Sequence, residues 1–180
     1  LARPYGNSRL VTMNSNEMNA NHEWKKGQTG KEPEHSAHIS KLFIPRSARD
    51  AAEKSKPVQM QGGWPAINAV IDDLTYGNMR LGKLELVARN TPSAKGQLWK
   101  ITKLNLSNSA AQLHSSGSWL KGFDGGNETN LLINTNINNL GGLLNRLDMK
   151  NLVRSGNGSI KGNLSWGGTP LGFNTQSFDG

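Results

Sequence analysis

The sequence predicts a mainly β fold: an antiparallel, twisted or curled sheet of about ten strands with a hydrophobic concave face and one short helix. Glycine and asparagine, which favour turns over helices, each occur 21 times in 180 residues. Apolar and polar residues alternate with a period of two through most of the chain after Trp64. A helical spacing of leucines occurs once, near residues 139–148.

The composition excludes several classes of protein. The chain has no cysteine, which rules out disulfide scaffolds, thiolate zinc sites and cysteine nucleophiles. No apolar run approaches the roughly 18 residues that a membrane-spanning helix needs. The net charge of +8 is spread evenly along the chain. Scattered lysines indicate a solvated exterior, whereas nucleic-acid binding uses a clustered basic face.

Three sections follow from the pattern. Residues 1–44 are predicted to form a β section with a polar, turn-rich insertion. Residues 45–63 contain two prolines, mixed charges and a terminal Gly-Gly pair, which is typical of a mobile loop or linker. Residues 64–180 are predicted to form a second β section that includes the helix. The absence of a starting methionine and the strand-like residues 171–180 lead us to expect a piece of a longer protein.

The strand alternation shifts its phase at two places. The apolar positions over 67–71 resume one residue late over 74–76, with Asp72 and Asp73 between them. A second shift lies between Ile101 and Leu104. A one-residue shift is what a β-bulge produces, so the sequence predicts a bulge at each place.

Three tryptophans close similar strands. Trp24, Trp119 and Trp166 each follow an apolar residue by six positions, which keeps both residues on one face of a strand. Their separations of 95 and 47 residues are close to two and one multiples of a unit of about 47. The pattern suggests a repeated unit of several strands. The alternative is that tryptophan simply favours strands.

The leucines at 140, 143, 144 and 147 lie on one face of a predicted two-turn helix near 139–148. Asn138 or Asn139 is a suitable N-cap. The pair Gly141-Gly142 weakens the helix by roughly 1 kcal/mol per glycine relative to alanine. The helix therefore depends on docking its leucines.

No constellation of residues supports catalysis or metal binding. His35 and His38 face opposite sides of a strand, and two histidines are too few for a zinc site. Asp72 and Asp73 are adjacent on a strand and cannot converge on one bond, so we interpret them as a bulge-associated pair. Residues 156–158 form a turn between helix and strand, which is not the setting of a phosphate loop. We expect no enzyme activity, no cofactor and no metal.

Each predicted strand has an apolar face that must be shielded from water. One short helix cannot shield about ten strands, so either a second sheet packs on the first or the apolar face lines a groove. A groove suits a long acyl chain, because each buried methylene contributes about 0.8 kcal/mol. The candidate lipid-binding residues, each of which could also be an ordinary core residue, are Leu84, Leu86, Trp99, Ile101, Leu104, Leu106, Leu113, Trp119, Leu131, Ile133, Ile160, Leu164 and Trp166.

The order of several short elements resembles the YhdP branch of the AsmA-like envelope proteins of Gram-negative bacteria. The resemblance covers residues 64–180 and, more loosely, 1–44. The elements that carry it are Trp64-Pro65-Ala66-Ile67, Ile71-Asp72-Asp73-Leu74, Leu81 to Leu86, Trp99-Lys100-Ile101, Gly117-Ser118-Trp119, the helix at 140–147 and Leu164-Ser165-Trp166.

The resemblance implies a function that the residues alone do not give. Members of this family are long proteins anchored in the inner membrane that cross the periplasm as a curled sheet with a hydrophobic interior and are linked to phospholipid transport. By this analogy the chain is a C-terminal section of a lipid conduit. It would bind acyl chains and reach both membranes through other parts of the parent protein. Two alternatives are an envelope assembly module that pairs with strands of outer-membrane proteins and a basic nucleic-acid binder.

Overall fold

The computed structural model describes residues 2–5, 8–14, 18–25, 34–45, 66–168 and 170, with side chains described from residue 35 onward. The predicted mobile loop over 45–63 lies outside these residues, except for Pro45. The predicted turn-rich stretch around 26–33 and the strand-like residues 171–180 also lie outside them.

The described strands form one sheet in which the order of the strands is their order in the chain. The strands are β1 (Ala2–Tyr5), β2 (Ser8–Asn14), β3 (Met18–Lys25), β4 (Glu34–Ile44), β5 (Ala66–Tyr76), β6 (Met79–Thr91), β7 (Gly96–Ser107), β8 (Ala111–Gly122), β9 (Asn127–Ile137) and β10 (Gly158–Gly167), with the helix α1 (Leu140–Arg146) between the last two.

The predicted fold class is confirmed: the chain is mainly β, with an open, curled, mostly antiparallel sheet and one short helix in its described part. Seven strands, β4 to β10, have described side chains. The predicted count of ten is reached only when β1 to β3, described by their backbone, are added. β4 and β5 join the two predicted β sections directly within this one sheet.

The prediction of antiparallel pairing is wrong for one pair. β4 and β5 run parallel, with His35 opposite Ile67 and Ile44 opposite Tyr76. Parallel and antiparallel strands show the same period of two, so alternation cannot distinguish them. The distinguishing feature is the connection, because a hairpin turn cannot join parallel strands.

Both predicted bulges are present. The register between β5 and β6 shifts between Ile71 and Leu74, and the register between β7 and β8 shifts between Ile101 and Leu104. Each bulge returns the later apolar residues to the same face of the sheet as the earlier ones. A bulge also bends its strand and increases the local twist, which contributes to the curl.

The helix lies where the leucine spacing predicts it, at the end of the sheet formed by the β5–β6 and β7–β8 turns. Asn139 is the N-cap, and its Oδ1 accepts a hydrogen bond from the backbone N–H of Gly142 at 2.8 Å. At the other end, the Arg146 guanidinium donates to the Ser109 hydroxyl at 3.0 Å and to the backbone carbonyl of Arg80 at 3.4 Å. These contacts attach the helix to two turns of the sheet.

Gly141 has a role that helix propensity does not indicate. A Cβ atom at this position would lie 2.5 Å from the backbone oxygen of Val153 and 2.7 Å from that of Arg154. The chain after the helix therefore crosses directly over Gly141, and Leu140 N–H donates to the Gly156 carbonyl beside it at 2.7 Å. This glycine is needed for the close approach of the two segments.

The three strands predicted to contain Trp24, Trp119 and Trp166 are present, but the structure does not show the repeated unit of about 47 residues. Trp24, Trp119 and Trp166 lie near the ends of β3, β8 and β10, as predicted. In the described sheet β8 is the fifth strand after β3 and β10 is the second strand after β8, so the intervals do not have the two-to-one ratio that a repeated unit requires. The recurring element is a single strand type.

Candidate functional site

The register of the sheet arranges one face into rows. Residues directly opposite each other on neighbouring strands point to the same face, so successive pairs form lines perpendicular to the strands. Four such rows cross from β5 or β6 to β10. The first row is Ile71, Leu84, Leu106, Leu113, Thr135 and Ile160; the second is Ala69, Leu86, Leu104, Ser115, Ile133 and Gly162; the third is Ile67, Ala88, Ile101, Gly117, Leu131 and Leu164; the fourth is Asn90, Trp99, Trp119, Thr129 and Trp166.

Every candidate lipid-binding residue falls in one of these rows, and we call the surface they form the apolar face. The candidates contribute Leu84, Leu106, Leu113 and Ile160 to the first row, Leu86, Leu104 and Ile133 to the second, Ile101, Leu131 and Leu164 to the third, and Trp99, Trp119 and Trp166 to the fourth. The two bulges make this common facing possible.

The candidate set omits apolar residues of β4 and β5. Ile71 and Leu74 lie on the apolar face, and they are paired with Ile39 and Leu42 of β4. The alternation of apolar residues over 67–71 is the signal that could have placed Ile67 and Ile71 in the set. Their burial, 6% exposure for both Ile71 and Leu74, makes them part of the best packed margin of this face.

Burial differs between the rows. Ile101 in the third row and Trp119 and Trp166 in the fourth are 3%, 8% and 7% exposed. The leucines of the first and second rows are only partly buried, and Ile160 on β10 is 53% exposed. The apolar face therefore combines a closed margin at the tryptophans with a band of partly exposed aliphatic side chains.

All described strands belong to a single sheet, so no second sheet among them covers the apolar face. Helix α1 contacts β6 at the end of the strands. Two clefts in the described part, of about 660 and 280 Å³, lie around Phe123 and around His114, and Ser115 is the one residue of the four rows that lines either of them. The rows form an open surface instead of a closed pocket.

Two glycines on the apolar face differ in their surroundings. A Cβ at Gly117 would lie 2.0 Å from the backbone oxygen of Asn130 on β9, so the neighbouring backbone closes tightly over this position. No atom lies within 4 Å of the corresponding position at Gly162 on β10. The β9 backbone thus lies close against Gly117, whereas the space beside Gly162 on β10 is open.

The opposite face is polar. Glu85 on β6 forms ion pairs with Lys103 on β7, at 2.5 Å, and with Lys83, at 3.2 Å. Hydrogen bonds from Lys103 and then from Lys83 lower the pKa of the Glu85 carboxyl below its ordinary value of 4.5. Apolar exceptions on this face include Val70, Val87, Leu98, Leu120 and Leu132, the last of which is 57% exposed.

The titratable residues singled out from the sequence do not form a reactive site. His35 pairs with Ile67 on the apolar face, whereas His38 lies on the other face and its Nε2 is 2.8 Å from Asp72 Oδ2. Asp72 and Asp73 lie in the β5 bulge. In the described ranges, no three His, Asp or Glu residues are grouped in a way that could hold a metal ion. Nor does any described helix have the length and apolar character needed to cross a membrane.

The chain matches a known protein family over almost its whole length. The family model described as YhdP protein matches residues 2–180. No curated protein and no solved structure was found to match the chain.

Proposed function

Because the chain belongs to the YhdP protein family, we propose that it is one section of a conduit that passively transfers phospholipids between the inner and outer membranes across the periplasm of a Gram-negative bacterium. The acyl chains move along the apolar face while the head groups stay in water. The parent protein reaches both membranes through parts other than this chain and is anchored in the inner membrane. The process needs no covalent step, no cofactor and no metal.

The observation that carries this proposal is the continuity of the apolar face from strand to strand. Neighbouring strands lie about 4.8 Å apart, so a row from β5 to β10 extends about 24 Å perpendicular to the strands. In the three rows that start at β5, the positions without an apolar side chain are Thr135 in the first row, Ser115 and Gly162 in the second and Gly117 in the third. Each strand from β5 to β10 contributes apolar residues to this face, so a methylene that leaves one strand meets apolar side chains on the next. Since each methylene returned to water costs about 0.8 kcal/mol, this arrangement lowers the barrier to sliding.

The partial exposure of the first two rows supports a groove over a sealed core. Leu86 and Leu104 are opposite each other in the second row and neither is fully buried. Residues of a sealed core are covered on all sides and touch 6–12 others. A bound acyl chain would supply the missing contacts.

Photo-crosslinking tests the proposal directly. A photoreactive amino acid is placed at Leu86 in the intact protein, with a matched position at Leu132 on the opposite face, which is at least as exposed. We expect phospholipid adducts at Leu86 and few at Leu132. Equal lipid labelling at both positions, or protein adducts alone at Leu86, would contradict lipid binding by the apolar face.

A second experiment separates a groove from a core. Substituting Leu86 or Ile133 by aspartate in a solvated groove leaves the chain folded and weakens lipid binding. The same substitution in a sealed core buries an unpaired carboxylate and unfolds the chain. Circular dichroism and chemical denaturation distinguish the two outcomes.

The assembly-module alternative also has an observation in its favour. Among the described strands, β10 pairs with β9 alone, and its residues from Gly158 to Asn163 are exposed. Such an edge can accept a strand from another protein. Protein adducts at Ser159 or Lys161 together with no lipid adducts at Leu86 would favour this function.

A further inference from the structure

A fifth row continues the same face beyond the tryptophans and is polar. It consists of Gln97 on β7, Lys121 on β8 and Asn127 on β9, which are opposite each other and partly exposed. Among the described side chains, no carboxylate pairs with Lys121. The ammonium group of Lys121 thus stands at the edge of the apolar face without a described counter-ion.

The two acidic residues nearest in sequence do not supply that counter-ion. Asp124 Oδ1 accepts the backbone N–H of Gly126 within the β8–β9 turn, at 2.9 Å. Glu128 is opposite Leu120 on the other face of the sheet, and its carboxylate accepts from the Asn130 amide at 2.9 Å. An anion that reaches the fifth row would therefore meet an available cation.

The opposite margin of the apolar face is closed and apolar. Beyond the first row lie Leu74, Ala111 and Ile137, which are 6%, 6% and 9% exposed, and helix α1 follows with its leucines. Arg146 on this helix is already bound to the Arg80 carbonyl and the Ser109 hydroxyl.

The fourth row ends the aliphatic part of the apolar face with aromatic rings. The indole bodies of Trp99 and Trp119 are large apolar surfaces, and their Nε1 atoms are buried away from water. Trp99 and Trp119 pack edge to face, with ring centroids 6.2 Å apart and an interplanar angle of 77°. This aromatic pair separates the aliphatic rows from Lys121.

The distance along a strand from the fourth row to the first is long enough for the acyl chains of one phospholipid. From Trp119 to Leu113, six residues at about 3.4 Å each give about 20 Å of apolar strand. The hydrocarbon of one bilayer leaflet is about 15 Å thick, half of the roughly 30 Å core. The tails of one phospholipid fit between the fourth and the first row.

We propose that a phospholipid lies along the strands of this section, with its phosphate at the Lys121 row and its acyl chains directed toward helix α1. The inference rests on the proposed function and adds an orientation to it. One margin, marked by tryptophan and lysine, is the head-group side of the groove. The margin beside α1 is the hydrocarbon side.

Two photoreactive phospholipids test the orientation in the intact protein, one with a diazirine in the head group and one with a diazirine at the end of an acyl chain. We expect head-group adducts near Gln97 and Lys121, and acyl adducts near Leu84, Leu106 and Leu113. Head-group adducts at the α1 margin, or equal head-group labelling of both margins, would overturn the orientation. If the acyl probe labels none of the rows, the proposed function fails as well.

A charge substitution gives a second readout. Lys121→Glu is expected to weaken binding of phosphatidylglycerol vesicles by roughly tenfold, and Lys121→Gln by less, because a charge-assisted hydrogen bond to phosphate is lost and in the first case replaced by repulsion. Lys100→Glu is the matched control, since Lys100 is exposed on the opposite face of β7. An equal loss in the Lys100 and Lys121 variants would show general electrostatic attraction and overturn the assignment of Lys121.

Discussion

Gly117 and Gly162 lie in strands of the same sheet and face the same side, yet they have opposite surroundings. The β9 backbone at Asn130 occupies the space that a Cβ at Gly117 would need, whereas the space at Gly162 is empty. We expect Gly117→Ala to lower the free energy of unfolding by about 1–3 kcal/mol, as overpacking does. Gly162→Ala should be neutral or slightly stabilising, because alanine restricts the unfolded chain. Urea denaturation of both variants measures the difference, and equal effects would refute the close backbone contact at Gly117.

The lowered pKa of Glu85 predicts how the stability of the chain depends on pH. Its pKa is lowered by Lys103 and Lys83, so its contribution to stability is present above its ordinary value of 4.5 and is lost as the pH falls through the lowered pKa of the folded state. Glu85→Gln should therefore be less stable than the wild type near neutral pH, and the difference should shrink as the pH falls below 4.5 and vanish below the lowered pKa of the folded state. Because the pair is exposed, added salt should reduce the difference.

Denaturation curves over this pH range, with and without salt, check the Glu85 prediction. Glu128→Gln serves as the control, since its carboxylate contacts the Asn130 amide and no described cation. A difference between wild type and Glu85→Gln that grows on acidification would have the wrong sign for a lowered pKa.

At the scale of elements, helix propensity and the structure predict opposite effects of Gly141→Ala on stability. Helix propensity alone predicts that the substitution stabilises helix α1 by about 1 kcal/mol. The backbone oxygens of Val153 and Arg154, 2.5 and 2.7 Å from the new Cβ, require the substitution to destabilise the chain. Gly142→Ala is the matched variant, because its nearest neighbour is the Asn139 side chain, whose displacement weakens the N-cap hydrogen bond but moves no backbone. Thermal unfolding that shows Gly141→Ala to be the more stable of the two would contradict the close crossing.

The elements also show what a sequence can predict. The strands, both bulges and the helix with its asparagine cap follow from local patterns, and the period of two assigns the lining candidates to a common face. Features that depend on a segment distant in the sequence cannot be predicted from local patterns. The parallel pairing of β4 with β5 leaves alternation unchanged, and the need for glycine at 117 and 141 arises from backbone that belongs to other parts of the chain.

At the scale of the whole molecule, transport along the rows requires every strand to contribute. A carboxylate in hydrocarbon costs about 2.5–3.5 kcal/mol, so one charged residue in the second row interrupts the path wherever it lies. Leu104→Asp on β7 and Ile133→Asp on β9 should therefore reduce the transfer rate to a similar extent, by roughly a hundredfold. Leu132→Asp is adjacent to Ile133 on the opposite face and should have little effect.

Transfer of a fluorescent phospholipid between donor and acceptor vesicles by the intact protein measures these rates, with denaturation curves to confirm that each variant is folded. If the chain is an assembly module that acts through the β10 edge, neither Leu104→Asp nor Ile133→Asp should impair its function. If the apolar face is a sealed core, both variants should unfold. Equal transport defects in two folded variants on different strands, with none in the Leu132 variant, are expected only if lipid passes along the rows.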